Sequence, residues 1–187
     1  MGFLNKEQLE KLGFKSFGEN VLISDMASIY SPHLITIGSN VRIDDFSILS
    51  GEIKLGSYIH IAAYSALYGK FGITMEDFTG LSPRCTLFSA TDDFSGSSLI
   101  SPMVPDAYTN VTGGQILIQS FSQIGAGSII MPNITIEQGV AVGAMSFVNS
   151  NLEAWHIFAG IPAKKIKGRN KNCITMATSI KKFHKYE

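Results

Sequence analysis

The sequence predicts an all-β solenoid of triangular coils, and three observations lead to this fold. Aliphatic residues recur at every sixth position over two long stretches, small or apolar residues follow them at the fourth place, and one long segment interrupts the rhythm. A period of six fits neither a helix, which repeats every ~3.6 residues, nor an amphipathic strand, which repeats every ~2. It fits short strands joined by turns, with three hexads to a coil and the leading residues stacked inward.

The hexads form two runs. In the first run, nine leading residues keep one phase: Ile37, Ile43, Leu49, Leu55, Ile61, Leu67, Ile73, Thr79 and Cys85. The second run has a new phase and is led by Ile118, Ile124, Ile130, Ile136, Val142 and Val148. A weaker prelude led by Ile23 and Ile29 predicts a further partial coil. An ordinary β-sandwich is the alternative, but it predicts strands at irregular spacing.

Three fourth-place residues of the first run, Phe71, Asp77 and Pro83, fit poorly in a core. A buried carboxylate without a hydrogen-bond partner is costly. We therefore expect Asp77 at a corner of a coil, with such a partner.

The two ends of the chain lack hexads and are predicted to be helical. Asn5 is placed as an N-cap with Gln8 reaching back to it, and Gly13 ends this first helix. Apolar residues from Ile174 onward recur at helical spacing in the tail. The expected organisation is a helical cap over residues 1–16, a β-helix over residues 17–170 with a loop at 90–117, and a tail or helix over residues 171–187.

Composition excludes several partners. The chain has 187 residues, and its 15 basic and 15 acidic side chains give no net charge, so nucleic acid is not expected as a partner. Two cysteines fit reduced thiols better than a secreted disulfide framework. No apolar stretch is long enough to span a membrane. We therefore expect a soluble, cytoplasmic protein without integral membrane association.

The hexads, the single long loop and the closing segment together resemble the hexapeptide-repeat acyltransferases, particularly the maltose and galactoside O-acetyltransferase group. The closing segment is Ala159-Gly160-Ile161-Pro162-Ala163-Lys164-Lys165. The resemblance covers about residues 17–170 and implies a left-handed parallel β-helix, a homotrimer, and acetyl transfer from acetyl-CoA to a saccharide hydroxyl in surface polysaccharide or lipopolysaccharide synthesis. Two alternatives stay open: N-acetylation of a nucleotide-linked aminosugar, and a non-catalytic β-helix that binds or scaffolds a partner.

The resemblance also implies a coenzyme A site along one edge of the coils and beside the closing segment. Backbone amides would hold the pantetheine arm, and lysines would contact the phosphates. The expected residues are Gly125, Ala126, Gly127, Ser128, Gly143, Ala144, Pro162, Lys164 and Lys165. The alternative is that the glycines and alanines only serve tight corners. The four histidines show no zinc spacing, so no metal is expected.

The predicted site has several candidates for the base that accepts the acceptor's proton. The O-acetyltransferases of this group use a histidine in the loop, and this loop has none but contains Asp92 and Asp93. A carboxylate is a poor base toward an alcohol. An amine acceptor needs only a weaker base, and its ammonium form is attracted by an aspartate. The two aspartates are therefore candidate bases, sugar ligands or turn formers, and their presence favours an amine acceptor.

His60 is the third candidate catalytic residue. It precedes a leading residue, so its side chain is expected to point outward, where Arg42 or Glu52 are possible partners; the alternative is a surface histidine without a role. In the loop, Tyr108 and Asn110 are candidate sugar contacts. Other loop residues, Phe94, Met103 and Val104, offer the alternative of packing the loop against the coils.

Overall fold

The computed structural model of the chain describes residues 2–183, with side chains as far as Ile180. The chain winds into a left-handed parallel β-helix, and the strands of one face stack seven coils deep from Val21–Ile23 to His156–Ala159. Each coil has three faces, which we call A, B and C in chain order, and three edges, AB, BC and CA, where the chain turns from one face to the next.

The strands divide among the faces as follows. Face A contains β1 (Ser16–Phe17), β4 (Ile35–Ile37), β13 (Ile116–Ile118), β16 (Thr135–Ile136) and the C-terminal parts of β6 (Ile48–Leu55) and β8 (Ala66–Met75). Face B contains β2 (Val21–Ile23), β5 (Val41–Ile43), β7 (Ile59–Ile61), β9 (Gly80–Leu81), β14 (Gln123–Ile124), β17 (Ala141–Val142), β19 (His156–Ala159) and the antiparallel β20 (Lys164–Gly168). Face C contains β3 (Ser28–Tyr30), β10 (Thr86–Phe88), β15 (Ile129–Ile130), β18 (Phe147–Val148) and the N-terminal parts of β6 and β8.

The inward residues of the three faces form the columns of one core. Face A contributes Phe17, Ile37, Leu55, Met75, Ile118, Ile136 and Leu152. Face B contributes Ile23, Ile43, Ile61, Leu81, Ile124, Val142 and Phe158. Face C contributes Ile29, Leu49, Leu67, Leu87, Ile130 and Val148. The prelude led by Ile23 and Ile29 is therefore confirmed, and each fully buried aliphatic side chain contributes roughly 1.5–3 kcal/mol.

The first run of hexads shifts its phase by two residues, and the prediction of one unbroken phase was wrong. The pairs Gly51 with Gly69 and Ile53 with Ile73 show that β8 contains two residues more than β6 between these points. A fourth place lies two residues before the next leader. After an insertion of two residues, fourth-place residues therefore occur where the unshifted repeat would have its leading residues. Because both kinds of position are apolar or small, the sequence pattern hides the shift.

After the insertion, the leaders are not the predicted ones. Met75, Leu81 and Leu87 continue the columns. Ile73, Thr79 and Cys85 are buried at fourth places. Of the poor fits, Phe71 lies at the insertion in β8, and Asp77 and Pro83 belong to turns. The Asp77 carboxylate accepts a hydrogen bond from the Ser57 amide at 2.9 Å. The corner predicted for Asp77 is thus correct.

Edge AB is filled by a stack of aromatic rings. Each aromatic residue of the stack has a positive φ. Successive ring centroids lie 4.5 Å apart for Tyr58 and Phe78, 5.3 Å for Phe78 and Phe121, and 6.3 Å for Phe121 and Trp155. Gly139 leaves room for the indole, since a Cβ there would lie 2.5 Å from the Trp155 ring. The stack runs from Tyr58 to Trp155, and the turns of the first two coils have Asn20 and Asn40 in its place.

Two helices close the ends of the fold. The first, α1 (Lys6–Leu12), has the predicted capping box between Asn5 and Gln8, ends at Gly13, and buries Leu9 in the core. The second, α2 (Asn172–Phe183), packs Ala177 beside edge AB. The remainder of the predicted tail helix, residues 184–187, lies outside the described residues. Neither helix is long and apolar enough to cross a membrane, over the part of the chain that the structure describes.

Candidate active site

Edge BC contains the predicted coenzyme segments at two successive coils. Ala126 and Ala144 lie in its turns and are in register, because Ile124 pairs with Val142. Neither N–H has a hydrogen-bond partner within residues 2–183. Because neighbouring strands are spaced about 4.8 Å apart, the two donors are suited to an extended chain of amides that lies along the edge.

The other N–H groups of the predicted coenzyme segments are already used within the protein. Gly125 donates to Val142, Gly127 to Pro83, Ser128 to Gly125 and Gly143 to Phe158. Ser128 is fully buried, and its hydroxyl donates to the Gly143 carbonyl.

The glycines of these segments are required by packing. A Cβ on Gly125 would lie 2.5 Å from the Ala144 nitrogen, and one on Gly143 would lie 2.8 Å from the Ala159 Cβ. Small residues therefore serve the close stacking of the coils, and the same lack of bulk leaves edge BC open.

The closing segment carries cations at the C-terminal end of this edge. Lys164 and Lys165 lie on β20, and Pro162 is exposed just before them. Lys165 forms an ion pair with Glu153, and its hydrogen bond lowers the pKa of that carboxyl. Lys164 forms no ion pair with any described residue. Lys164 is thus the lysine of the pair that is available to an anion.

The long loop leaves the solenoid at edge CA through a neck formed by β11 (Ala90–Thr91) and β12 (Thr112–Gly113). A cavity of about 510 Å³ lies between the loop and face C, and we call it the loop pocket. Its lining includes Tyr68, Lys70, Thr91, Asp92, Asp106 and Thr109.

The two adjacent aspartates of the loop have different environments. Asp92 is exposed and lines the loop pocket. The Asp93 carboxylate accepts a hydrogen bond from the Ser95 amide at 2.8 Å. Hydrogen bonds from the side chain and the amide of Ser95 hold the pKa of Asp93 below its usual range, which weakens it as a base. Asp93 therefore orders the loop, and Asp92 is the carboxylate that a ligand in the pocket can reach.

His60 points outward from face B and pairs with an aspartate that the sequence analysis missed. Its Nε2 lies 2.7 Å from Asp44 Oδ2, and Arg42 Nε donates to Asp44 Oδ1 at 2.6 Å. Burial raises the pKa of Asp44, but the hydrogen bonds from Arg42 and His60 outweigh it and lower that pKa. Glu52, a predicted partner of His60, instead forms an ion pair with Lys54 at 2.9 Å.

The cluster around His60 is separate from the loop pocket. His60 is not among the residues that line that pocket. Along face B it stands two coils from the level of Ala126, since Ile61 pairs with Leu81 and Leu81 with Ile124. The structure therefore does not bring His60 and Asp92 together.

Tyr108 and Asn110 lie on the outer surface of the loop. Both are exposed, and neither lines the loop pocket. The alternative that Phe94 and Met103 pack the loop against the coils was wrong, because these side chains are 90% and 89% exposed. The loop thus presents large apolar side chains to solvent in the single chain.

The outer surface of face C is more apolar than those of the other two faces. Its outward residues include Ile48, Ala66, Tyr68, Phe88, Ile129 and Phe147, with Ser28, Ser50 and Thr86 in the same rows. At the corresponding positions face A presents Thr36, Lys54, Thr74, Leu117 and Thr135, and face B presents Leu22, Arg42, His60, Gln123 and Ile157. Tyr68 and Phe88 stack with centroids 5.4 Å apart. Face C joins edge BC to the loop at edge CA.

Two residues of these sites were missed from the sequence although signals for them exist. Asp44 follows Arg42 by two positions, a spacing that puts both side chains on one side of an extended chain. Lys70 lies between Gly69 and Gly72, and glycines inside a strand pattern indicate a bulge or a close approach of backbones. Among the described residues, no three His, Cys, Asp or Glu side chains are grouped so that they could hold a metal ion.

Similarity to characterised proteins extends over the whole chain, although no family model matches it. It is 42% identical over 184 residues to dTDP-4-amino-4,6-dideoxy-D-glucose acyltransferase of Escherichia coli, covering 97% of this chain and 96% of that protein. It is 50% identical to AntD, an N-acyltransferase from Bacillus cereus, whose structure with dTDP and 3-hydroxybutyryl-CoA superposes with a TM-score of 0.95 over 98% of each chain. Another AntD structure, of a point variant, holds dTDP-4-amino-4,6-dideoxyglucose and coenzyme A.

The maltose O-acetyltransferase group shares the fold at lower similarity. The enzyme from Clostridium difficile is 20% identical, with a TM-score of 0.57 over 89% of this chain and 75% of that one. The stacked hexads, the open edge and the full-length similarity to an acyltransferase all indicate the same family. The chain belongs to the hexapeptide-repeat acyltransferase family.

Proposed function

We propose that the protein transfers an acyl group from acyl-CoA to the amino group of a nucleotide-linked aminosugar. The observation that carries this proposal is the exposed Asp92 carboxylate in the loop pocket, in a loop without histidine. The relatives named above, a dTDP-aminosugar acyltransferase and an N-acyltransferase bound to dTDP and an acyl-CoA, support the same choice. The hydroxyl acceptor expected from the maltose and galactoside group is the second candidate.

Edge BC fits the donor substrate. Acyl-CoA supplies a thioester and a pantetheine arm with amide carbonyls. The Ala126 and Ala144 N–H groups, which have no partner within residues 2–183, can donate to such acceptors. Lys164, which lacks an acidic partner in residues 2–183, is suited to a phosphate at the end of the edge.

Asp92 fits an amine acceptor. In the transfer, the amine nitrogen bonds to the thioester carbonyl carbon, the carbon–sulfur bond breaks, and the amine proton is lost as the thiol is released. The Asp92 carboxylate attracts the ammonium form of the acceptor and accepts a proton from the attacking nitrogen. An alcohol would demand a stronger base than a solvent-exposed carboxylate.

A complete site requires a second copy of the chain in this proposal. The free amides lie on edge BC and the loop pocket on edge CA, so face C separates donor from acceptor within one chain. Association through the apolar face C would cover its exposed side chains and bring edge BC of one chain to the loop of the next. This arrangement is consistent with the homotrimer implied by the family.

Paired variants of the loop aspartates test the proposal. Release of CoA thiol is followed with dTDP-4-amino-4,6-dideoxyglucose as acceptor and a series of acyl-CoA donors. Asp92→Asn is expected to lower kcat/KM about 10²- to 10⁴-fold, in the range of a general base. Asp93→Asn is the matched control. We expect it to lower the melting temperature and to change the turnover little. Wild-type kcat/KM in Asp92→Asn would contradict the role of Asp92.

O-acylation is favoured by one observation, the pairing of His60 with Asp44. A carboxylate that orients an imidazole is the arrangement of a general base for a hydroxyl. His60→Ala tests it: a loss of turnover with neutral sugars would support O-acylation, and unchanged turnover would remove His60 as the base.

A further inference from the structure

The insertion in β8 places Lys70 at the loop pocket. Lys70 lines the pocket together with Asp92. It is exposed and forms no ion pair with an acidic side chain in the described part of the chain. Because β6 passes the same edge with two residues fewer, the regular coil has no counterpart of this lysine.

The backbone on both sides of Lys70 is anchored. The Phe71 amide donates to the Ser89 hydroxyl at 2.9 Å, and that hydroxyl donates to the Tyr68 carbonyl at 2.9 Å. Below the insertion the chains approach closely, since a Cβ on Gly69 would lie 2.5 Å from the Glu52 carbonyl oxygen. Lys70 is therefore held at a fixed place beside the loop neck.

We propose that Lys70 binds the diphosphate of the nucleotide-linked acceptor and so selects nucleotide-linked sugars over free sugars. This inference rests on the proposed function. Such an acceptor has an amine on the sugar and an anionic diphosphate at its other end. The loop pocket offers the Asp92 carboxylate for the amine and Lys70 for the diphosphate, and Lys70 has no acidic partner among the described residues. Lysine and phosphate form charge-assisted hydrogen bonds, which are stronger than neutral ones.

Binding of dTDP and of thymidine to the full chain, measured by calorimetry, tests the role of Lys70 without acyl transfer. Lys70→Met keeps the aliphatic stem and removes the charge. We expect it to weaken dTDP binding about 10- to 100-fold and to leave thymidine binding unchanged. Lys70→Arg should restore part of the dTDP affinity, and the control Lys54→Met, on face A, should have wild-type affinity. Wild-type dTDP affinity in Lys70→Met would overturn the inference.

The same variants separate this inference from the proposed function. In assays with the nucleotide-linked aminosugar, Lys70→Met should raise KM by a similar factor and change kcat little, while kcat/KM for the free aminosugar stays the same. If the wild-type protein binds dTDP through Lys70 but transfers no acyl group to an aminosugar, the proposed function fails and the Lys70 site stands. If transfer occurs and Lys70→Met has the wild-type KM, only the Lys70 inference fails.

Discussion

Replacing Ala126 or Ala144 by proline removes one free amide from edge BC with little disturbance of the fold. Pro83 already occupies the equivalent turn position one coil below Ala126, because Leu81 pairs with Ile124. The turn therefore accepts a proline ring in that place. Since neither alanine N–H has a partner within the described residues, neither substitution breaks an internal hydrogen bond.

The size of the effect on coenzyme binding follows from the number of donors lost. One hydrogen bond contributes about 0.5–1.5 kcal/mol net, which corresponds to roughly a 2- to 13-fold change in Kd. Ala126→Pro and Ala144→Pro should each weaken coenzyme A binding by at least this factor, and the double variant by about the product of the two. Their melting temperatures should equal or slightly exceed that of wild type, because proline restricts the unfolded chain.

Calorimetric titration of each variant with coenzyme A, together with thermal melting, checks both expectations. Gly127→Pro is a useful contrast, because its N–H donates to the Pro83 carbonyl and its φ is +71°. That variant should lose stability. Unchanged coenzyme A affinity in the double alanine variant would refute a pantetheine site on edge BC. A large drop in the melting temperature of Ala126→Pro or Ala144→Pro would refute the assignment of these two amides as unpaired.

Three further predictions concern the core, the His60 cluster and the aromatic edge. Burial raises the pKa of the Cys85 thiol to about 11. At pH 8 a thiol reagent should therefore modify the partly exposed Cys173 and leave Cys85 unreacted in the folded protein. Equal reaction rates of the two cysteines would contradict the burial of Cys85. The pKa of Asp44 is lowered by folding, so its stabilisation is present above the ordinary value of 3.8 and is lost as the pH falls through the lower folded value. Urea unfolding of Asp44→Asn should therefore show a loss of roughly 0.5–1 kcal/mol at pH 7 that disappears at low pH, and a loss that persists there would argue against this ion pair. Gly139→Ala should destabilise the protein by about 1–3 kcal/mol, because the new Cβ would lie 2.5 Å from the Trp155 ring and the φ of this residue is +70°. An unchanged melting temperature would show that the indole is not fixed on edge AB.

The fold was predictable because its signals are local and periodic. The capping box of Asn5 and Gln8 needs only residues three apart, and the stacked columns follow from a repeat that any coil must preserve. The insertion in β8 was hidden for a physical reason. The fourth place accepts Ile73, Thr79 and Cys85 as readily as a leading position does, so the apolar rhythm continued while the register changed.

The candidate site was less predictable because it depends on which neighbours each polar group finds. Asp92 and Asp93 are adjacent in sequence, yet only the Asp93 carboxylate accepts a hydrogen bond from the Ser95 amide within the loop. Likewise, the Gly127 N–H donates to the Pro83 carbonyl of the preceding coil, whereas the neighbouring Ala126 N–H has no partner among residues 2–183. Such distinctions require the three-dimensional pairing of coils.

The most direct test of the account is release of CoA thiol by the wild-type protein with two acceptors, dTDP-4-amino-4,6-dideoxyglucose and a neutral sugar that has only hydroxyl groups. The account predicts turnover with the aminosugar, an amide as the product, and no turnover with the neutral sugar. Turnover with the neutral sugar and none with the aminosugar would contradict it.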